Sequence, residues 1–219
     1  MIKKNKFQII ELGFRDCDQI AKVHMDAFPK SIFTIIGKSC VLKYYQWQFS
    51  EISRYDKLIY SYGIVNKNKL SAYTIFGKPR IALYGFIRKN KWFLFTKTIK
   101  LLPLFNLYHL KTILYGFKFY LKKKMFKSNN SNKNMVIFDN DRIGILITAT
   151  TKDDDGRGFG TALMKKAEKV GKSDGFKYIT LSVRSENINA IKIYQIHGYK
   201  KVIDKSGNWL NNEMIKQIN

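Results

Sequence analysis

Two hydrophobic periods run through this chain, and the switches between them mark out its elements. Phe7 to Leu12 reads as a short strand, and Asp16 or Asp18 is placed to cap a helix that continues through Ala27 and stops at Pro29. From Ser31 to Phe49, apolar and aromatic residues recur at helical spacing. Lys57 to Val65 and Leu70 to Phe76 are strand-like, joined by the hairpin loop Asn66-Lys67-Asn68. Near the other end, Ile143 to Thr150 reads as a strand entering an Asp- and Gly-rich turn. A helix then covers about Gly158 to Val170, with Phe159, Ala162, Leu163, Ala167 and Val170 on one face, closed by Gly171 to Gly175. Lys177 to Arg184 is a strand, and Asn187 to His197 a second helix with Ala190, Ile193, Tyr194 and His197 on one side, stopped by Gly198. Strand, helix, strand, helix implies a right-handed crossover and a parallel strand pair. Lys200 to Ile203 and Trp209 to Ile218 form a last hairpin around Ser206-Gly207-Asn208.

The middle of the chain has a different character. From Lys57 through Phe138 there is no Asp or Glu, while the same span holds 17 Lys and Arg. Aromatics crowd into it, among them Trp92, Phe93, Phe95, Phe105 and Tyr120. Lys78 to Lys127 is expected to form helical hairpins broken at Pro103 and Gly116, and Ser128 to Asn134 an Asn/Ser/Lys linker.

Totals narrow the class. A chain of 219 residues suits one domain with an insertion. Its net charge of +24 favours polyanionic partners: nucleic acid, an anionic lipid surface or phosphorylated small molecules. Cys17 and Cys40 make neither a disulfide framework nor a metal-ligand spacing, so two buried thiols and no metal are expected. Lacking a signal-like start and any apolar run of spanning length, the protein is expected to be cytoplasmic.

The chemistry concentrates in Asp155-Gly156-Arg157-Gly158-Phe159-Gly160-Thr161. Glycines at alternate positions between a strand and a helix let several backbone N–H groups approach one anion, at the positive end of the helix. No Gly-Lys-Ser/Thr follows, so this is no P-loop, and the glycines are too closely spaced for a dinucleotide fingerprint. Further on comes Leu181-Ser182-Val183, then Asn187, Ala190, Tyr194 and Gly198-Tyr199. Together the two motifs resemble the GNAT superfamily of N-acyltransferases.

That resemblance implies an α/β (α+β) fold: a mixed, mostly antiparallel central sheet with a parallel strand pair around the cofactor-binding crossover and helices on both faces. Residues 1–219 would form one such domain, with 78–134 as a basic helical insertion and linker. It also implies acetyl-CoA as cosubstrate and no metal. Thr148, Ala149 and Thr150 would pair with the pantetheine arm, and Gly156, Arg157, Gly158, Phe159, Gly160 and Thr161 would wrap the pyrophosphate. Asn187 would hold the cofactor from the neighbouring helix, and Tyr194 would sit beside its sulfur as general acid. Two positions depart from the family. The usual Arg or Gln at the head of the loop is Asp155, and the strand position where many members carry a basic Glu is Ser182. The base must then come from elsewhere, with Glu11, His24 and Asp26 in the first block as candidates, or the amine arrives already neutral.

His24-Met25-Asp26-Ala27-Phe28-Pro29, with Ile36-Gly37-Lys38 and Leu42-Lys43-Tyr44-Tyr45, resembles a subgroup found with bacterial surface-polysaccharide genes. It implies an amino sugar on a nucleotide or lipid carrier as acceptor, with a peptide or small-molecule amine as the alternative. The segment 78–127 has two readings: docking on an anionic membrane surface, which would make the protein peripheral at the inner face, or packing internally or in a homodimer. A catalytically inactive basic module for nucleic acid is the competing class, disfavoured because no nucleic-acid motif is present.

Overall fold

The structure, a computed structural model, describes residues 7–52, 59–77, 82–101, 141–204 and 206–218. Among the described residues, seven strands form one sheet in the order β1-β2-β3-β4-β5-β7-β6. They are β1 (Gln8–Glu11), β2 (Ile59–Asn66), β3 (Lys69–Gly77), β4 (Arg142–Thr150), β5 (Tyr178–Ser182), β6 (Lys200–Ile203) and β7 (Trp209–Gln217). All neighbours are antiparallel except β4 and β5, which run parallel. This is the expected mixed fold, with its parallel pair at the expected crossover.

One face of the sheet carries α1 (Cys17–Ala27), α2 (Ile32–Ile36), α3 (Lys38–Trp47), α4 (Ala82–Lys89) and α5 (Lys91–Leu101). Ile20, Val41, Tyr45, Tyr73 and Phe86 fill that core. The other face carries α6 (Phe159–Ser173) and α7 (Ile188–Ile196), packed over Phe76, Ile143, Ile179 and Met214. Ile143, Leu163 and Ile179 have no accessible surface, and each such burial contributes about 1.5–3 kcal/mol.

Three expectations needed adjustment. The apolar run from Ser31 to Phe49 is two helices broken at Gly37, followed by a wider turn over Gln48–Ile52. Ser31 caps the first of them, its hydroxyl accepting from the Thr34 N–H at 3.2 Å. Gly171 does not end α6 but lies inside it, where a Cβ would come within 3.0 Å of Ile143 and Ile218, so it lets the helix approach the sheet. In the basic segment the first helical break falls at Asn90, whose side-chain amide and backbone N–H both bond the Phe86 carbonyl. The breaks expected at Pro103 and Gly116 and the linker Ser128 to Asn134 lie outside the described residues.

Candidate active site

The site begins with one extra residue in β4. Against β3, Ile147 pairs with Ile75 and Ile145 with Phe76, so Leu146 is bulged. A bulge shifts the two-residue alternation, and its effect can be read in the packing. Ile143 and Ile145 face the α6 side, whereas Ile147 and Ala149 face the α1 side. Thr148 and Thr150 are thereby turned toward α6, and the Thr148 hydroxyl lies 2.9 Å from that of Thr74. Pairing with β5 stops at the same point, its last partners being Ile145 and Leu181. Beyond it the edge of β4 toward β5 has no strand partner among the described residues, and its peptide groups are available to an extended amide-bearing ligand.

A cleft of about 450 Å³ opens along this edge. Ile145, Thr148, Ala149 and Thr150 line one side, the loop and the head of α6 one end, and Ala190, Ile193 and Tyr194 of α7 the opposite side. Ala27 and Phe28, at the end of α1, complete it.

The loop supplies donors. Gly158 caps α6 in the left-handed conformation, φ +79°, and carries no side chain to satisfy the first turn. The N–H groups of Gly158, Phe159, Gly160 and Thr161 have no acceptor among the described residues. They head a 15-residue helix and adjoin the cleft, an arrangement suited to an anion. A Cβ built on Gly156 or Gly158 would meet nothing within 4 Å, and one on Gly160 only Thr150 Oγ1 at 3.9 Å. The chain itself leaves that space open.

The three loop carboxylates behave differently. Asp154 turns inward and accepts from Asn66 Nδ2 at 2.9 Å and Thr151 Oγ1 at 3.1 Å, with Arg157 Nε at 3.3 Å. Burial alone would raise its pKa, but hydrogen bonds from Ser71, Asn66 and Thr151 and the Arg157 charge outweigh it and hold the carboxyl below its ordinary range. Asp153 is exposed and outside this cleft. Asp155 lines the cleft beside Asp154, and its Oδ1 accepts from the Gly156 N–H at 2.9 Å, occupying one of the loop's donors.

Two expected cofactor residues sit elsewhere. Arg157 lines a separate depression between α1 and the β2–β3 hairpin and is engaged with Asp154. Asn187 caps α7, its Oδ1 accepting from the Ala190 N–H at 3.2 Å, and it does not line the cleft. What it visibly does is set the start of the helix that carries Tyr194. Tyr194 lines the cleft and stacks at a tilt on Tyr199, centroids 5.9 Å apart. Burial pushes its phenol above the ordinary value, so it is protonated at neutral pH and able to donate. Thr161 Oγ1 and His197 Nε2, 3.3 Å apart, tie the head of α6 to the end of α7.

The candidate bases divide sharply. Asp26 accepts from the Lys152 N–H at 2.6 Å, fastening α1 to the loop. Glu11 is exposed at the end of β1. His24 is buried, with Nδ1 2.7 Å from Tyr45 Oη and Nε2 3.1 Å from Ser31 Oγ. Burial lowers it to about 4, leaving a neutral imidazole at pH 7. Its ring packs edge-on against Phe28, 5.1 Å away, immediately behind the cleft wall. The register also reveals a carboxylate the sequence motif did not indicate: Glu213 of β7 lies directly opposite Ser182, one strand from the position where the family places its acid. Arg142 Nη1 holds it at 3.2 Å.

Comparison with known proteins agrees with this geometry. Residues 127–199, about a third of the chain, match the model of the Acetyltransferase (GNAT) family. No curated protein matches the sequence. The fold is similar to the PaiA N-acetyltransferase from Thermoplasma acidophilum, solved in complex with coenzyme A (12% identity, 97% of this chain and 99% of that one, TM-score 0.53). It is similar also to the ribosomal-protein-S18-alanine N-acetyltransferase from Escherichia coli (13% identity, 97% and 94%, TM-score 0.53). A third likeness is the ribosomal-protein-alanine N-acetyltransferase from Brucella melitensis (12% identity, 96% and 99%, TM-score 0.55). The β4, loop, α6 and α7 walls of the cleft thus lie in the segment that matches the GNAT model, within a GNAT-like fold, and this supports an acyl-CoA-dependent acetyltransferase.

Proposed function

We propose that the protein transfers an acetyl group from acetyl-CoA to a primary amine by direct attack. The observation that carries this is the set of open N–H donors at the glycine-headed start of α6, beside the unpaired edge of β4 and across the cleft from Tyr194. In this reading the edge at Thr148, Ala149 and Thr150 pairs with the pantetheine amides. The N–H groups of Gly158 to Thr161 hold the pyrophosphate, and Phe159, 4% exposed, anchors the turn in the core. Asp155 and the acids around it weaken that grip without abolishing it, because Asp154 is already neutralised by Arg157.

Amine attack on a thioester builds an oxyanion and expels a thiolate. Peptide N–H groups on the free β4 edge are suited to the first charge, and the Tyr194 hydroxyl to protonating the second. His24, neutral and locked among Tyr45, Tyr73 and Ser31, holds the cleft wall through Phe28 rather than taking the amine proton. The acceptor we favour is an amino sugar on a nucleotide or lipid carrier, which the first-block motif and the +24 charge support. The test is an acceptor screen with acetyl-CoA, read by mass spectrometry and by release of free thiol. It includes nucleotide-linked amino sugars, peptides and small amines. Failure of every amine, with no slow thiol release in their absence, would refute the enzyme reading.

A further inference from the structure

We infer that the outer face of α5 is a docking surface for an anionic lipid membrane. The helix has two apolar sides. One, with Phe93 and Leu94, packs on the α1-side core, where Phe86 of α4 is fully buried among Phe33, Tyr44 and Trp47. The other presents Trp92, Phe95 and Ile99, at positions i, i+3 and i+7, exposed by 70%, 55% and 45%. Among the described residues, no core cluster takes up this stripe. Lys91 is exposed at its start and Arg88 near the end of α4 just before it, with the Lys91 ammonium 5.9 Å from the Trp92 ring centroid. No acid occurs in the sequence from 57 to 138.

Charge decides the occupant. A second copy meeting this face about a two-fold axis would bring two copies of this basic, acid-free segment together. An anionic headgroup layer satisfies both features at once, rings at the acyl boundary and cations against phosphate. No helix among the described residues is long and apolar enough to cross a membrane, so the contact is peripheral there. Because α5 packs beside α2, which follows Phe28 of the cleft wall by a few residues, docking would bring the lipid surface to the α1 side of the cleft.

Flotation with vesicles of phosphatidylcholine, with and without 30% phosphatidylglycerol, tests this. The full chain should float with the anionic vesicles at low salt, and Trp92 should be quenched by brominated lipid, a signal absent from Trp92→Phe. Each cation near such a surface is worth about fivefold in binding, so Arg88→Glu with Lys91→Glu should weaken binding more than about 25-fold. Trp92→Ser with Phe95→Ser should weaken it while CoA-dependent thermal stabilisation, the control for folding, stays intact. Indifference to anionic vesicles, or binding that neither pair of substitutions alters, overturns the proposal. So does a dimer that dissociates when Trp92 and Phe95 are replaced, which would assign the face to a second copy. The readout is binding alone, so its failure is distinguishable from failure of the acyltransferase reading.

Discussion

Replacing Gly160 by Ala should separate folding from cofactor binding, because the structure assigns the two effects opposite signs. Gly160 is the second residue of α6 and does not adopt positive φ, so alanine fits its backbone. The new Cβ would touch only Thr150 Oγ1, at the ordinary contact distance of 3.9 Å. Alanine is favoured over glycine in a helix by up to about 1 kcal/mol, so the ligand-free variant should melt at the wild-type temperature or about 2–4 °C above it. The methyl group projects into the cleft, where a phosphate oxygen must come within about 2.9 Å of the N–H groups at the helix head. Losing hydrogen bonds to a charged group costs about 1.5–3 kcal/mol each, or roughly 10- to 150-fold in Kd. At CoA one hundred times its Kd, the wild type gains about 2.7 kcal/mol, a rise of about 5–11 °C. A variant bound about 100-fold more weakly would gain about 0.4 kcal/mol at the same concentration, close to 1 °C. Thermal shift with a CoA titration at fixed ionic strength measures both quantities. A Gly160→Ala protein stabilised by CoA as well as wild type would refute the assignment of the site, and one strongly destabilised without ligand would refute the packing argument.

Tyr194→Phe should lower turnover by about 10²–10⁴ while leaving CoA affinity unchanged; equal turnover under conditions where chemistry limits the rate would rule out the general acid. Asp155→Asn removes a charge at the cleft and loosens its hold on the Gly156 N–H, so CoA should bind about fivefold more tightly, an advantage that shrinks in high salt. An unchanged affinity in calorimetry would mean the carboxylate does not face the pyrophosphate. For His24, burial lowers the folded value from 6.5 to about 4, so the unfolded chain takes up a proton first as pH falls. Stability should therefore drop between about pH 6.5 and 4, by up to about 3 kcal/mol, and His24→Gln should flatten that slope; parallel wild-type and variant curves would exclude His24 as the cause.

Whatever depended on local pattern could be read from the sequence. The α6 face is legible because Phe159, Leu163 and Ala167 fall at helical spacing, and Gly158, Tyr194 and the glycine turn lie within one short span. What escaped depends on a partner strand or on a distant segment. The run Ile143 to Thr150 reads as one uniform apolar strand, and nothing in it marks Leu146 as the residue left over against β3. Glu213 enters through the β5–β7 register, across 31 residues of chain from Ser182, where no local spacing could find it. Asp154 carries a charge that would repel an anion, but Asn66 on a hairpin 88 residues away turns it into a brace for the loop. Gly171 looked like a helix stop, since only the packed sheet shows why a side chain is excluded there.

The bulge also explains how one strand can serve a ligand and a core at once. Before Leu146, β4 is held on both edges, by β3 and β5, and buries Ile143 and Ile145 under α6. After it, β3 alone among the described strands holds it, and Ile147, half-buried, and Ala149, buried, pack on the opposite face with Tyr73, Ile75 and Val41. The free edge is therefore not a frayed strand end. Both flanks of the bulge are fixed by separate cores, so the unpaired peptide groups between them are held at a set height and direction. The loop is fastened the same way at its two ends, by Asp26 on the Lys152 N–H and by Phe159 buried against Phe7, and α7 is tied to it through Thr161 and His197. A pantetheine-sized ligand would then find its amide partners, its anion site and its acid already in place. Its binding would cost little ordering of the protein, which offsets the repulsion from Asp155.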